Sequence, residues 1–137
     1  MKAYIGIKYY EDFRNRNIIE KVSLVLENRG YETSCIVRDT EQWGLVKLKP
    51  HELMKTTFEE INSCNIMIID LSEKGVGLGI EAGYAFAKGI PIITIAEEAS
   101  DISKTMEGIS RQVMFYRNID ELKMRLIIDP FNLPYQV

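Results

Sequence analysis

The sequence is poor in the residues that build metal and thiol chemistry. Its 137 residues include two cysteines and one histidine. Cys35 and Cys64 stand apart in apolar surroundings without C-x-x-C spacing, so each is expected as a buried reduced thiol. His51 has no histidine or cysteine company and is expected on the surface at a helix start. No metal site or other cofactor is therefore expected. No run approaches the roughly 18 apolar residues of a membrane-spanning helix, and the apolar stretch near the first residue is too short for a signal segment. The expectation is a cytoplasmic chain without a membrane partner. A clustered basic excess is missing too: 17 Lys and Arg face 20 Asp and Glu, for a formal net charge of −3. This argues against a nucleic-acid polymer as partner but leaves a single nucleotide open, because one or two local cations suffice for one phosphate. Repeats, low-complexity tracts and linkers are lacking, so residues 1–137 are expected to form one domain.

What is present is an alternation of apolar runs and helical patterns. Residues 2–7 read as a short strand. Ile18, Ile19, Val22, Leu24, Val25 and Leu26 then recur at helical spacing until Gly30, a helix stop. Residues 31–37 are β-branched and aromatic enough for a second strand. Residues 38–50 form a polar stretch long for a connection, hence a candidate functional loop. Residues 51–63 carry Leu53, Met54, Phe58 and Ile61 on one helical face. Residues 65–71 and 90–96 are nearly continuous apolar runs of the kind found in parallel strands covered on both faces. Residues 103–108 form a short segment, residues 112–116 a fifth strand, and residues 118–126 a last helix. This order predicts an α/β fold with a doubly wound, five-stranded parallel sheet of flavodoxin or Rossmann-like type, in which function sits at the carboxyl ends of the strands.

The most informative stretch, residues 70–89, reads DLSEKGVGLGIEAGYAFAKG. Gly75, Gly77 and Gly79 alternate just before a helix, a spacing that lets backbone amides approach a ligand closely. Glu81 is expected in or near the first helical turn, where the dipole favours its ionised form and suits it to act as a nucleophile or electrostatic stabiliser. The bland alternative is that acidic residues are common in first turns.

These residues resemble the nucleoside 2-deoxyribosyltransferase-like superfamily, which includes nucleoside deoxyribosyltransferases and 2′-deoxynucleoside 5′-monophosphate N-glycosidases. The resemblance rests on the strand-ending Asp70 and Ser72 and on GVGLGIEAGYAFAKGIPIITI, and extends more weakly to Gly6 and to ISKTMEG at residues 102–108. It implies a retaining displacement at the anomeric carbon of a nucleoside or nucleotide, with Glu81 attacking C1′ and Asp70 beside it as a second catalytic carboxylate. It also implies a homodimer or higher homo-oligomer whose pockets a neighbouring subunit completes, with Phe131, Leu133 and Tyr135 needing cover. Ser103 matches a serine that the N-glycosidases offer to phosphate, and is equally read as a helix N-cap. The chain departs from the family pattern at Thr57, where members carry an aspartate, at Gly75, where they carry an acid or serine, and at Ile7 or Lys8, where they carry a phosphate-binding serine.

Lys8 and Arg38 follow the first two strands as candidate contacts for a phosphate, or as solvated cations. Trp43 is read as a base-stacking ring or as a plug closing the loop onto the core. Tyr9 and Tyr10 are read as pocket walls. Two alternatives stay open. One is a nucleotide sensor of the same fold without turnover. The other is binding or hydrolysis of an NAD-type dinucleotide, since residues 77–82 also satisfy G-x-G-x-x-G/A and Glu97 follows at the end of the next strand.

Overall fold

A computed structural model describes residues 1–10, 12, 14–126 and 135. Its five strands are β1 (Lys2–Ile7), β2 (Glu32–Ser34), β3 (Ile66–Asp70), β4 (Ile92–Glu97) and β5 (Gln112–Tyr116). All pair in parallel in the order β2-β1-β3-β4-β5, with Ile5 opposite Ile68 and Ile68 opposite Ile93. The order reverses between β1 and β3, where the crossovers diverge to opposite faces and open a crevice at the carboxyl ends.

The helices are α1 (Arg16–Glu27), α2 (Pro50–Asn62), α3 (Val76–Ala87), α4 (Lys104–Ile109) and α5 (Leu122–Arg125). Strand side chains alternate between faces with a period of two, and this alternation divides the core. Ala3, Ile5, Ile66, Ile68, Ile93, Ile95, Met114 and Tyr116 pack with α1 and α5. Tyr4, Met67, Ile69 and Ile92 pack with Ile61 of α2 and with Leu78, Ala82 and Ala85 of α3. Both faces of β3 are buried, which accounts for the unbroken apolar run of its sequence. Thr94 and Ser110, both fully buried, satisfy one another at 2.7 Å. Both cysteines are free and buried, and His51 is exposed near the start of α2. No helix among the described residues is long and apolar enough to cross a membrane.

The last helix, expected over residues 118–126, is a 3-10 turn at Ile119–Glu121 followed by the single turn of α5, and three other boundaries also differ from the sequence reading. The second strand ends at Ser34 rather than Val37, because Ile36–Thr40 winds into a π-helical turn. There the Cys35 N–H donates to Asp39 Oδ2 at 2.9 Å, a side-chain bond that competes with the sheet ladder. The polar stretch at residues 38–50 is partly helical, with a further 3-10 turn at Gln42–Gly44. Helix α3 begins at Val76, so Gly77 and Gly79 lie inside it and only Gly75 precedes it, as N-cap. Phe131 and Leu133 lie outside the described residues; the Tyr135 ring meets Phe86 edge-on at 5.9 Å.

Ile68 sits at the centre of the sheet with its side chain fully buried. Ile68→Ala is expected to destabilise the fold by about 2–5 kcal/mol, read as a lower urea midpoint at unchanged slope.

Candidate active site

A cavity of about 350 Å³ opens beside β1, on the face covered by α2 and α3. That volume is at the small-ligand end of the usual range of about 300–1,000 Å³. Its floor is the β1 backbone from Tyr4 to Lys8, with Gly6 keeping the floor low. A Cβ at Gly6 would make ordinary contacts with Ile69, Tyr4 and Leu78 at 3.5–3.7 Å. Leu53, Met54 and Thr57 of α2 form one wall, Gly77, Leu78 and Glu81 of α3 the other, and Cys35 to Val37 with Glu41 close the end beyond β2.

Glu81 is the sixth residue of α3, in the second turn and away from the free amides. The expectation of an ionised form favoured by the helix terminus therefore does not hold. Burial raises the Glu81 carboxyl above the ordinary glutamate range, and a hydrogen bond from Tyr4 pulls it back. The charge of Glu41 adds a further upward push. The Tyr4 Oη donates to Glu81 Oε1. Tyr4 is 1% exposed, and its own hydroxyl is pushed well above the usual tyrosine range, first by burial and then by the Glu81 charge. Tyr4 thus stays protonated and remains a donor. Glu81 is thus a desolvated carboxylate, steadied by one fixed hydroxyl, in the wall of an apolar cavity wide enough for a small ligand.

Of the residues singled out from sequence, the structure brings Gly6, Lys8, Tyr9, Gly75, Gly77 and Glu81 to this cavity. The Tyr9 hydroxyl donates to the Trp43 carbonyl at 2.9 Å, fastening the end of β1 to the loop. Lys8 is exposed at the rim.

Asp70 and Ser72 are elsewhere. Asp70 shares the face of Ile66 and Ile68, opposite to that of Glu81. Its carboxylate accepts from Tyr116 Oη at 2.6 Å and from the Ser72 N–H at 2.8 Å, while Ser72 Oγ accepts from the Glu97 N–H at 2.8 Å. Together with Lys8 they line a separate cavity of about 230 Å³. The alternation of β3 accounts for the separation, since an acid two residues after Ile68 must share its face.

Gly79 and Ser103 line a third cavity, of about 360 Å³, between α3 and α4. Ser103 is the N-cap of α4, its Oγ accepting from the Met106 N–H at 3.3 Å. Arg38 reaches none of these cavities. Its guanidinium holds Asp39 at 2.7 Å, Ser23 Oγ at 2.7 Å and the Thr33 carbonyl at 3.1 Å, so it is spent on joining α1, β2 and the π-helical turn. Trp43 packs against the core with the Arg16 guanidinium 4.5 Å above its ring, which is the plug reading. Tyr10 lies under the Arg14 guanidinium at 3.7 Å. Residues 77–82 are helical rather than a strand-to-helix turn, so their glycines do not form the phosphate cradle of a dinucleotide fold.

Sequence reasoning missed Tyr4 and Glu41. The first was legible in the alternation of β1, which puts Tyr4 and Gly6 on one face. The second had no periodic signal.

No family model matches the chain. A relative in Thermofilum pendens with the provisional name 2′-deoxynucleoside 5′-phosphate N-hydrolase 1 is 24% identical over 131 residues, covering 88% of this chain and 89% of its own length. Among solved structures, a CMP N-glycosidase of Clostridium botulinum superposes with a TM-score of 0.69 at 22% identity, covering 92% of this chain and 97% of the other. A 2-deoxyribosyltransferase of Bacillus psychrosaccharolyticus does so with a TM-score of 0.74 at 14% identity, covering 99% and 98%. These likenesses agree with the superfamily resemblance carried by residues 70–89 and show its fold.

The Arg38 contacts make a test. Arg38→Met is expected to lower stability by about 1–3 kcal/mol in urea unfolding.

Proposed function

We infer, from the fold and sequence likeness to the nucleoside 2-deoxyribosyltransferase-like superfamily, that the chain breaks the N-glycosidic bond of a nucleoside or nucleotide, with Glu81 as the nucleophile. The observation that carries this reading is the Tyr4-held carboxylate of Glu81 in an apolar cavity of ligand size. The named activities of the relatives, N-hydrolase, N-glycosidase and deoxyribosyltransferase, share one bond. A carboxylate in an apolar cavity suits its cleavage, because attack at C1′ proceeds through an oxocarbenium-like transition state that an adjacent negative charge stabilises and then captures.

The Glu81 carboxylate forms a bond to C1′ as the C–N bond breaks and its electron pair leaves with the base. Water or a second base then attacks C1′, and the ester oxygen returns to Glu81 as carboxylate. Tyr4 holds one carboxylate oxygen through both steps, leaving the other free to bond. Lys8 at the rim is the cation placed to meet a phosphate or other anionic end of the substrate.

A second reading, nucleotide binding without turnover, is favoured by Thr57. The family pattern has an acid there, whereas this chain has a buried hydroxyl already donated to the Leu53 carbonyl at 2.7 Å. Incubation with deoxynucleosides, deoxynucleoside monophosphates and NAD, with free base followed by chromatography, separates the two. Base release that disappears in Glu81→Ala supports the catalytic reading. No base from any of them, with a nucleotide still raising the melting temperature, supports the sensor.

Because Glu81 must be ionised to attack, activity is expected to fall as pH drops through its raised pKa, so the acid limb lies above the ordinary glutamate range. Tyr4→Phe removes the bond that lowers that pKa. The limb is then expected to move to higher pH, and kcat/KM to fall tenfold or more, for a hydrogen bond to a charged group worth about 1.5–3 kcal/mol. A limb that stays put or moves down would contradict the role given to Tyr4.

A further inference from the structure

A second carboxylate, that of Glu41, shares the cavity with Glu81. It comes from a segment whose backbone is held in an unusual course. The Glu41 N–H donates to the Ile36 carbonyl at 2.9 Å, and its own carbonyl accepts from the N–H groups of Gly44 and Val46, each at 3.0 Å. The three residues that follow, Gln42, Trp43 and Gly44, have φ of 47°, 59° and 91°. Left-handed backbone at Gln42 and Trp43 is unfavourable for side chains with a Cβ and persists only where the surroundings enforce it. Here the enforcing contacts are the Tyr9 hydroxyl on the Trp43 carbonyl at 2.9 Å and the Arg16 guanidinium over the Trp43 ring. The result fixes Glu41 at the end of the cavity. The Glu41 side chain is half-buried and also borders a neighbouring cavity lined by Lys47.

We propose that Glu41 is the acid–base residue of this cavity, giving a proton to the departing base and taking one back from the water that follows. This rests on the reading of Glu81 as nucleophile. In the first step the Glu81 oxygen bonds to C1′ and the C–N pair leaves with the base, whose ring nitrogen or oxygen takes the proton of Glu41. In the second step water bonds to C1′, its proton passes to the Glu41 carboxylate, and the C1′–O bond to Glu81 breaks. Both side chains end as they began.

The remaining titratable groups lining the cavity are Tyr4, Lys8, Tyr9 and Cys35. Tyr4 is committed to Glu81 and Tyr9 to Trp43. The Cys35 thiol is pushed up to about 11, chiefly by burial, and is too weak an acid for the task near neutral pH. Lys8 is at the exposed rim. Burial alone raises the Glu41 carboxyl, which brings its proton affinity closer to what a general acid needs. The Tyr4 hydroxyl donates to Glu81 and lowers its carboxyl, which favours the ionised form that a nucleophile requires.

The test compares single-turnover base release from 2′-deoxyguanosine 5′-monophosphate and from its 7-methyl derivative, whose base already carries a positive charge and leaves without a proton. In Glu41→Gln the rate on the first is expected to fall about 10²-fold or more, while the rate on the second changes by less than about threefold. The alkaline limb of the pH profile is expected to vanish in Glu41→Gln and to return in Glu41→Asp, with part of the rate. Equal losses on both compounds, or an alkaline limb unchanged by Glu41→Gln, would overturn the assignment. Failure of the underlying reading shows separately: the unaltered protein would release base from neither compound, or Glu81→Ala would still release it.

Discussion

The hydrogen bond from Tyr4 to Glu81 ties the interior of the sheet to the wall of the cavity. Tyr4 belongs to β1, next to the point where the strand order reverses, and its ring is packed in the core against β3 and the two helices on that face. Glu81 belongs to α3, which follows β3. The bond therefore spans two elements whose relative position is set by strand pairing, and it places a carboxylate where burial alone would favour the neutral acid. Without the hydroxyl the cavity would hold a protonated glutamic acid over a wider range of pH. With it, the same desolvation that raises the carboxyl also leaves the ionised form poorly solvated and reactive toward a developing cation.

The period-two alternation of the strands distributes polar groups between the two sides. On the α2 and α3 side lie Tyr4, Glu41 and Glu81. On the α1 and α5 side, Asp70 is bound by Tyr116 and Ser72, and Ser72 in turn receives the Glu97 N–H. This second set is closed on itself: the Tyr116 hydroxyl is pushed far above the usual tyrosine range, first by burial and then by Asp70. It joins the carboxyl ends of β3, β4 and β5, which stiffens the sheet edge from which α3 departs.

The parallel sheet was legible because buried strands have no polar face to obscure them. The runs at residues 65–71, 90–96 and 112–116 became β3, β4 and β5 with small changes at the ends. The second strand was overread, since Cys35, Ile36 and Val37 are as apolar as any strand. Only the bond between Asp39 and the Cys35 amide, supported by Arg38, turns the chain away from the sheet. Arg38 was misread for the same reason: a cation after a strand end looks available until its three partners are known. The glycines at 77 and 79 suggested a loop, yet they are helical, because helix propensity is a weak prior against tertiary packing. Glu81 stands out in the sequence through its glycine neighbours. Glu41 does not, because its position depends on three consecutive left-handed residues that leave no periodic trace.

The account centres on a covalent bond between Glu81 and the anomeric carbon, and that bond can be weighed. The protein would be mixed with a 2′-fluorinated deoxynucleotide, whose fluorine disfavours positive charge at C1′ and so slows hydrolysis of the glycosyl ester. It would then be quenched in acid, digested and examined by mass spectrometry. The account predicts the mass of one fluorinated deoxyribosyl phosphate on the peptide bearing Glu81, formed with one equivalent of free base. Base released with no adduct, or with the adduct on any other residue, would contradict it.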